Sequence, residues 1–103
     1  MKYAIAADGD NMDSLVSDKG GRAPFYLSFE DSKLIDSIKN PFAVGGGGAG
    51  FSVAYMLAEK NIEKLFAPEL GGNMINALAE RGVMYEKVKF GEKISDIVKK
   101  NLE

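Results

Sequence analysis

Five of the ten residues Pro41-Phe42-Ala43-Val44-Gly45-Gly46-Gly47-Gly48-Ala49-Gly50 are glycine. Such a tract is either a flexible linker or a loop whose backbone must come close to something. The next segment bears on the choice. Residues 51–60 carry Phe51, Val53, Ala54, Tyr55, Met56, Leu57 and Ala58. That run is apolar nearly all round and predicts a buried helix starting near Ala49 or Gly50. Linkers join domains, and a chain of 103 residues reads as one domain, 1–103. An ordered glycine tract entering a helix aims free N–H groups and a positive dipole end at one spot, which is a physical recipe for holding an anion.

Composition removes several classes of function. The net charge of −2 provides no global basic field to draw nucleic acid or acidic membrane. No apolar run approaches the roughly 20 residues of a membrane span. The opening Met1-Lys2-Tyr3-Ala4-Ile5-Ala6-Ala7-Asp8 is too short and too soon acidic for a signal peptide, so the expected location is the cytoplasm. The chain has neither cysteine nor histidine. Disulfides, thiolate ligands, zinc catalysis of the usual kind and Ser-His or Cys-His triads are therefore excluded. A metal held by side chains would need carboxylates, carbonyls or methionine sulfur.

Along the chain, residues 3–7 read as a buried strand ending at the turn Asp8-Gly9-Asp10. Residues 11–21 are polar and predict an ordered loop, with one helical turn near Met12 to Leu15. Phe25-Tyr26-Leu27-Ser28-Phe29 and Leu34-Ile35-Asp36-Ser37-Ile38-Lys39 form a hairpin about Glu30-Asp31-Ser32-Lys33. Asn40-Pro41 closes it. A strand at 63–67 ends at Pro68. Met74, Ile75, Leu78 and Ala79 mark one face of a helix, with Gly82 as its C-terminal cap. Residues 83–86 are a strand, and Ile94, Ile97, Val98 and Leu102 line an amphipathic last helix. Met12, Met56, Met74 and Met84 read as core filler. The expected fold is α/β: a five-stranded mixed sheet with about three helices on both faces. Ligands of such sheets bind beyond the carboxyl ends of the parallel strands, where loops 8–21, the glycine tract and 69–73 should converge.

Three separated motifs carry a resemblance. They are Ser17-Asp18-Lys19-Gly20-Gly21-Arg22-Ala23-Pro24, Asn40-Pro41 with Gly45 to Gly50, and Gly71-Gly72-Asn73. Together they resemble the dinitrogenase iron–molybdenum cofactor biosynthesis family, over nearly the whole chain. The resemblance implies a ribonuclease-H-like fold and a role as a small carrier or accessory protein for the nitrogenase cofactor or an iron–sulfur cluster precursor, with cofactor-assembly proteins as partners. The family's first loop is usually Ser-x-His-Phe-Gly-Arg-Ala. Ser17, Gly21, Arg22 and Ala23 match it, but Lys19 and Gly20 stand where the family has His and Phe. A protonated Lys cannot coordinate a metal, so the loop keeps anion holding and loses a ligating nitrogen.

The expected cofactor-binding residues are Ser17, Lys19, Gly21, Arg22, Gly47, Gly48, Gly50, Gly72 and Asn73, with no catalytic residue and no protein-ligated metal. Each has a plainer reading. Arg22 offers a planar fork to an oxyanion, or an ion pair to Asp8, Asp10 or Asp13. Lys19 is a solvated loop charge, and Ser17 caps a turn. Asp8, Asp10 and Asp13 read as turn formers before they read as a metal site, and Asp36 and Glu69 add no acidic motif. A non-catalytic carrier of an anionic metallocofactor is the expected function. The rivals are a protein-interaction or regulatory module of the same fold and a metal-dependent nuclease, which needs converging carboxylates.

Overall fold

The computed structural model describes residues 1–44 and 49–103. Its elements run β1 (Lys2–Ala7), β2 (Phe25–Glu30), β3 (Lys33–Lys39), α1 (Ala49–Glu59), β4 (Lys64–Ala67), α2 (Gly72–Glu80), β5 (Met84–Lys87) and α3 (Ile94–Asn101). The five strands form one sheet in the order β3-β2-β1-β4-β5. β1 pairs antiparallel with β2 and parallel with β4, β2 pairs antiparallel with β3, and β4 pairs parallel with β5. The sheet is mixed, as expected.

The period of two in β1 divides the core. Ala4 and Ala6 face a cluster with Tyr26, Leu65 and Ala67, covered by Val53, Ala54 and Leu57 of α1 and Met74, Ala77 and Leu78 of α2. Ile5 and Ala7 face the other way, with Leu27, Phe29 and Phe66, under Ile94, Ile97 and Val98 of α3. Small alanines on the first face let two helices lie close. Large side chains on the second fill the space that one helix leaves.

Both helices of the first layer stop in the same way. Ile62 N–H donates to Leu57 (3.0 Å) and Asn61 N–H to Ala58 (3.0 Å), with Asn61 at φ 63°. Val83 N–H donates to Leu78 (2.9 Å) and Gly82 N–H to Ala79 (3.1 Å), with Gly82 at φ 76°. This paired bonding satisfies the last carbonyls and turns the chain into the next strand. The expected cap at Gly82 is present.

Several local expectations need correction. Residues 11–14 form a turn, Ser14 N–H to Asn11 (3.0 Å), and Asn11 Oδ1 accepts Asp13 N–H (3.0 Å). Leu15 and Val16 then run extended, bridging Lys93 and Ala7, so no helical turn forms there. α1 is buried on one side only. Phe51 (54%) and Tyr55 (50%) are half exposed, and Arg81 lies 4.6 Å over the Tyr55 ring. On α2 the buried face is Met74, Ala77 and Leu78, while Ile75 and Ala79 are exposed. Met84 is 52% exposed on the edge strand β5 and is not core. Among the described residues no helix is long and apolar enough to cross a membrane.

Candidate functional site

Three segments meet beyond the carboxyl ends of the parallel strands. Gly21 and Arg22 come from the loop after β1, Ala49 and Gly50 from the start of α1, and Glu69, Leu70, Gly71, Asn73 and Met74 from the end of β4 into α2. Together they line a cleft of about 270 Å³. The convergence expected of the three loops therefore holds for their described parts.

Buried polar groups hold the loops in place. Asn40 is buried in the corner after β3. Its Nδ2 donates to the Ala23 carbonyl (2.9 Å), its Oδ1 accepts Phe42 N–H (2.9 Å), and its own N–H reaches Pro24 (3.0 Å). The segment carrying Arg22 is thus tied to the turn that leads toward α1. Arg22 Nη1 donates to the Phe42 carbonyl (3.4 Å). The alternative pairing with Asp8, Asp10 or Asp13 is not among the ion pairs of the described residues.

Two tyrosine hydroxyls secure the other loops. Tyr26 on β2 donates to the Gly20 carbonyl (2.5 Å), and Tyr85 on β5 donates to Pro68 (2.6 Å). Burial raises the pKa of Tyr26 well above the ordinary tyrosine value, and the Ala23 backbone N–H opposes this only in part. The unfolded chain therefore gives up that proton first, near pH ~10. Stability is complete below that pH and is expected to fall above it, by about 1.4 kcal/mol per pH unit from this group. Urea unfolding across the alkaline range tests this. Tyr26→Phe should flatten the fall, and an equal slope in the variant would assign it elsewhere.

Gly50 serves packing. A Cβ there would lie 2.9 Å from Met74 Cβ and 3.3 Å from its Cα, so the glycine lets α1 and α2 cross closely at the cleft. Gly50→Ala is expected to cost about 1–3 kcal/mol by overpacking, against roughly 1 kcal/mol gained in helix propensity. The urea midpoint reports the balance, and a stabilised variant would mean that the crossing relaxes freely.

The N-terminus of α2 opens on the same cleft. Ile75 N–H is the first to find a helical acceptor, Gly71 (3.1 Å). That leaves the N–H groups of Gly72, Asn73 and Met74 as the orphan donors of the first turn, and no side chain caps them. No acidic residue sits in the first turn of α1 or α2. With the Arg22 charge, these features favour an anion. Glu69 opposes it, but Lys87 Nζ lies 3.4 Å from its carboxylate.

The expected site residues separate on this geometry. Gly21, Arg22, Gly50 and Asn73 line the cleft. Gly72 starts α2 just outside the lining. Ser17 is buried, and its hydroxyl accepts Lys19 N–H (3.1 Å), so it caps the turn. Lys19 is exposed and outside the lining. Gly47 and Gly48 lie outside the described residues. Sequence reasoning missed Asn40, Tyr26, Leu70 and Met74 at this site. A polar residue before a proline at a strand end was the available signal for Asn40. Among the described residues, no three His, Cys, Asp or Glu side chains form a group able to hold a metal ion.

The family described as "Dinitrogenase iron-molybdenum cofactor" matches residues 1–103. No curated protein sequence matches. Among solved structures, the fold is similar to the apo form of the orange protein from Desulfovibrio gigas, with 23% identity, 96% of this chain and 84% of that chain covered, and a TM-score of 0.89. It is also similar to a putative NifB protein from Thermotoga, with 25% identity, 95% and 84% covered, and a TM-score of 0.80.

Proposed function

The chain belongs to the dinitrogenase iron-molybdenum cofactor family, and we propose that it is a non-catalytic, cytoplasmic carrier of an anionic metallocofactor. The cargo would be the iron–molybdenum cofactor or an iron–sulfur cluster precursor, exchanged with cofactor-assembly proteins. Residues 1–103 would act as one domain, and the sheet order supports reading the fold as ribonuclease-H-like.

The carrying observation is the cleft in which Arg22 and the α2 N-terminus face the start of α1. Its donors are a guanidinium and backbone N–H groups, suited to the outer oxygens or sulfides of an anionic cluster. The chain holds no His or Cys to enter the cluster's coordination shell. Holding is therefore by charge and hydrogen bonds, and release needs no ligand exchange at iron. Such a site fits a carrier better than a permanent cluster scaffold.

The test is an anaerobic titration with isolated cofactor or a synthetic iron–sulfur cluster, followed by gel filtration. Visible absorbance co-eluting with the protein is expected, and its absence with both cargoes would overturn the reading. A protein-interaction or regulatory module is the second reading. It draws on the half-exposed Phe51 and Tyr55 on the outer face of α1.

A further inference from the structure

We propose that a second cleft, beside the first, binds a small planar aromatic ligand carrying an anionic group, of the nucleoside-phosphate type. This cleft is lined by Asp18, Pro68, Glu69, Lys87, Val88, Lys89 and Phe90, with a volume of about 660 Å³. It also lies beyond the carboxyl ends of β4 and β5, and Glu69 lines both this cleft and the Arg22 cleft. Its volume lies within the usual range for small-molecule sites, roughly 300–1,000 Å³.

Phe90 carries the argument. Single exposed apolar residues are ordinary, but this ring is 65% exposed, lines the cleft and stands on a fixed backbone. Val88 N–H donates to Ala67 (2.9 Å), Gly91 N–H to Val16 (2.9 Å), and Val16 N–H to Glu92 (2.7 Å). The backbone of Lys89 and Phe90 is thus held between two anchored points, and little backbone ordering cost remains when a ring stacks on Phe90. Every nucleobase has a face to stack, and aromatic platforms bind bases in this way.

The charges narrow the ligand further. Lys89 is in no ion pair among the described residues, and Lys87 is engaged only by the exposed Glu69. Both ammonium groups suit a phosphate. Asp18 and Glu69 are acceptors for the amino or hydroxyl groups of a nucleoside. The two carboxylates offset the two ammonium groups, so the cleft has no extended basic field of the kind that holds a nucleic acid strand, while two ammonium groups suffice for the phosphates of one mononucleotide.

This inference does not depend on the carrier reading, and its probes contain no metal. Amide NMR of the isotopically labelled protein is recorded with adenosine diphosphate, with adenosine and with inorganic phosphate. The diphosphate is expected to shift the amides of Asp18, Lys87, Lys89 and Phe90, adenosine to shift the same amides more weakly, and phosphate alone to shift only those of the two lysines, and least. Phe90→Ala, whose exposed ring contributes little to the core, should weaken binding about tenfold. Lys89→Glu should weaken it and reduce or reverse the loss of affinity with salt, because the new carboxylate repels the phosphate until salt screens it. No shifts with the diphosphate, shifts centred on Arg22 and Asn73, an equal response to phosphate alone, or undiminished affinity in Phe90→Ala would each overturn the proposal.

Discussion

Asn40→Ala is expected to destabilise the protein by about 2–4 kcal/mol, the largest effect of any single polar substitution proposed for this chain. The substitution strands the Ala23 carbonyl that Nδ2 now satisfies and the Phe42 N–H that Oδ1 accepts. Each orphaned group costs about 1–3 kcal/mol where water cannot replace the lost partner. Asn40→Asp separates the two bonds. It keeps the acceptor for Phe42 N–H, loses the donor to Ala23 and sets a carboxylate against a carbonyl. It should therefore also be destabilised, and less so at low pH, where the protonated acid can donate again. Urea midpoints at constant slope measure both variants. Amide exchange at Phe42 measures whether the corner has opened. An unchanged midpoint in Asn40→Ala would mean that solvent reaches the corner and that Asn40 holds nothing. Because Phe42 also supplies the carbonyl that Arg22 meets, the same variant should weaken anion binding, with Asn40 acting as a positioning residue.

The order of elements along the chain and the α1 boundary were legible because their signals are periodic and local. The apolar strands, the hairpin about Asp31-Ser32 and the cap at Gly82 all appear where periodicity and turn chemistry place them. What was not legible depends on which element covers which. Phe51 and Tyr55 look like core in a run of apolar residues. Only the packing of α1 against the sheet and α2 decides that Val53, Ala54 and Leu57 go inside. Ile75 and Met74 are equivalent in sequence, but only Met74 faces Gly50. Gly50 reads as a ligand-cradling glycine until its neighbour across the helix crossing is known. The glycine signal thus pointed to the cleft that Gly50 lines, and in the structure Gly50 also has a packing reason to be glycine. Asn40 and Tyr26 bind backbone atoms, and backbone atoms leave no mark on a sequence. The second cleft was invisible because Phe90 gains its meaning from Pro68 and Asp18, which are distant along the chain.

Arg22→Ala is expected to weaken binding of an anionic cluster by about 10- to 100-fold, from the ~1.5–3 kcal/mol of hydrogen bonds to a charged group. The side chain lines the cleft while its Nη1 donates to Phe42, so the guanidinium is braced at the site where an anion would meet its charge. Arg22→Lys tests the fork against the charge: it should recover the salt dependence but only part of the affinity. Wild-type binding should weaken as ionic strength rises past ~0.1 M, where exposed charges more than about 10 Å apart are screened. Lys19→His adds a different kind of contact. Lys19 is exposed and stands outside the lining, although its N–H is held by buried Ser17. A histidine there would have to reach the cleft from its rim. If it does, iron–sulfur cluster binding should become tighter and less salt-sensitive, since a coordinate bond does not depend on screening. If it does not, the variant should bind as wild type, and charge and backbone N–H groups alone hold the cargo. The measurement is an anaerobic cluster titration of all four proteins at two salt concentrations. Equal affinity of wild type and Arg22→Ala would remove Arg22 from the site. Failure of all four to bind would leave the interaction-module reading in place of the carrier.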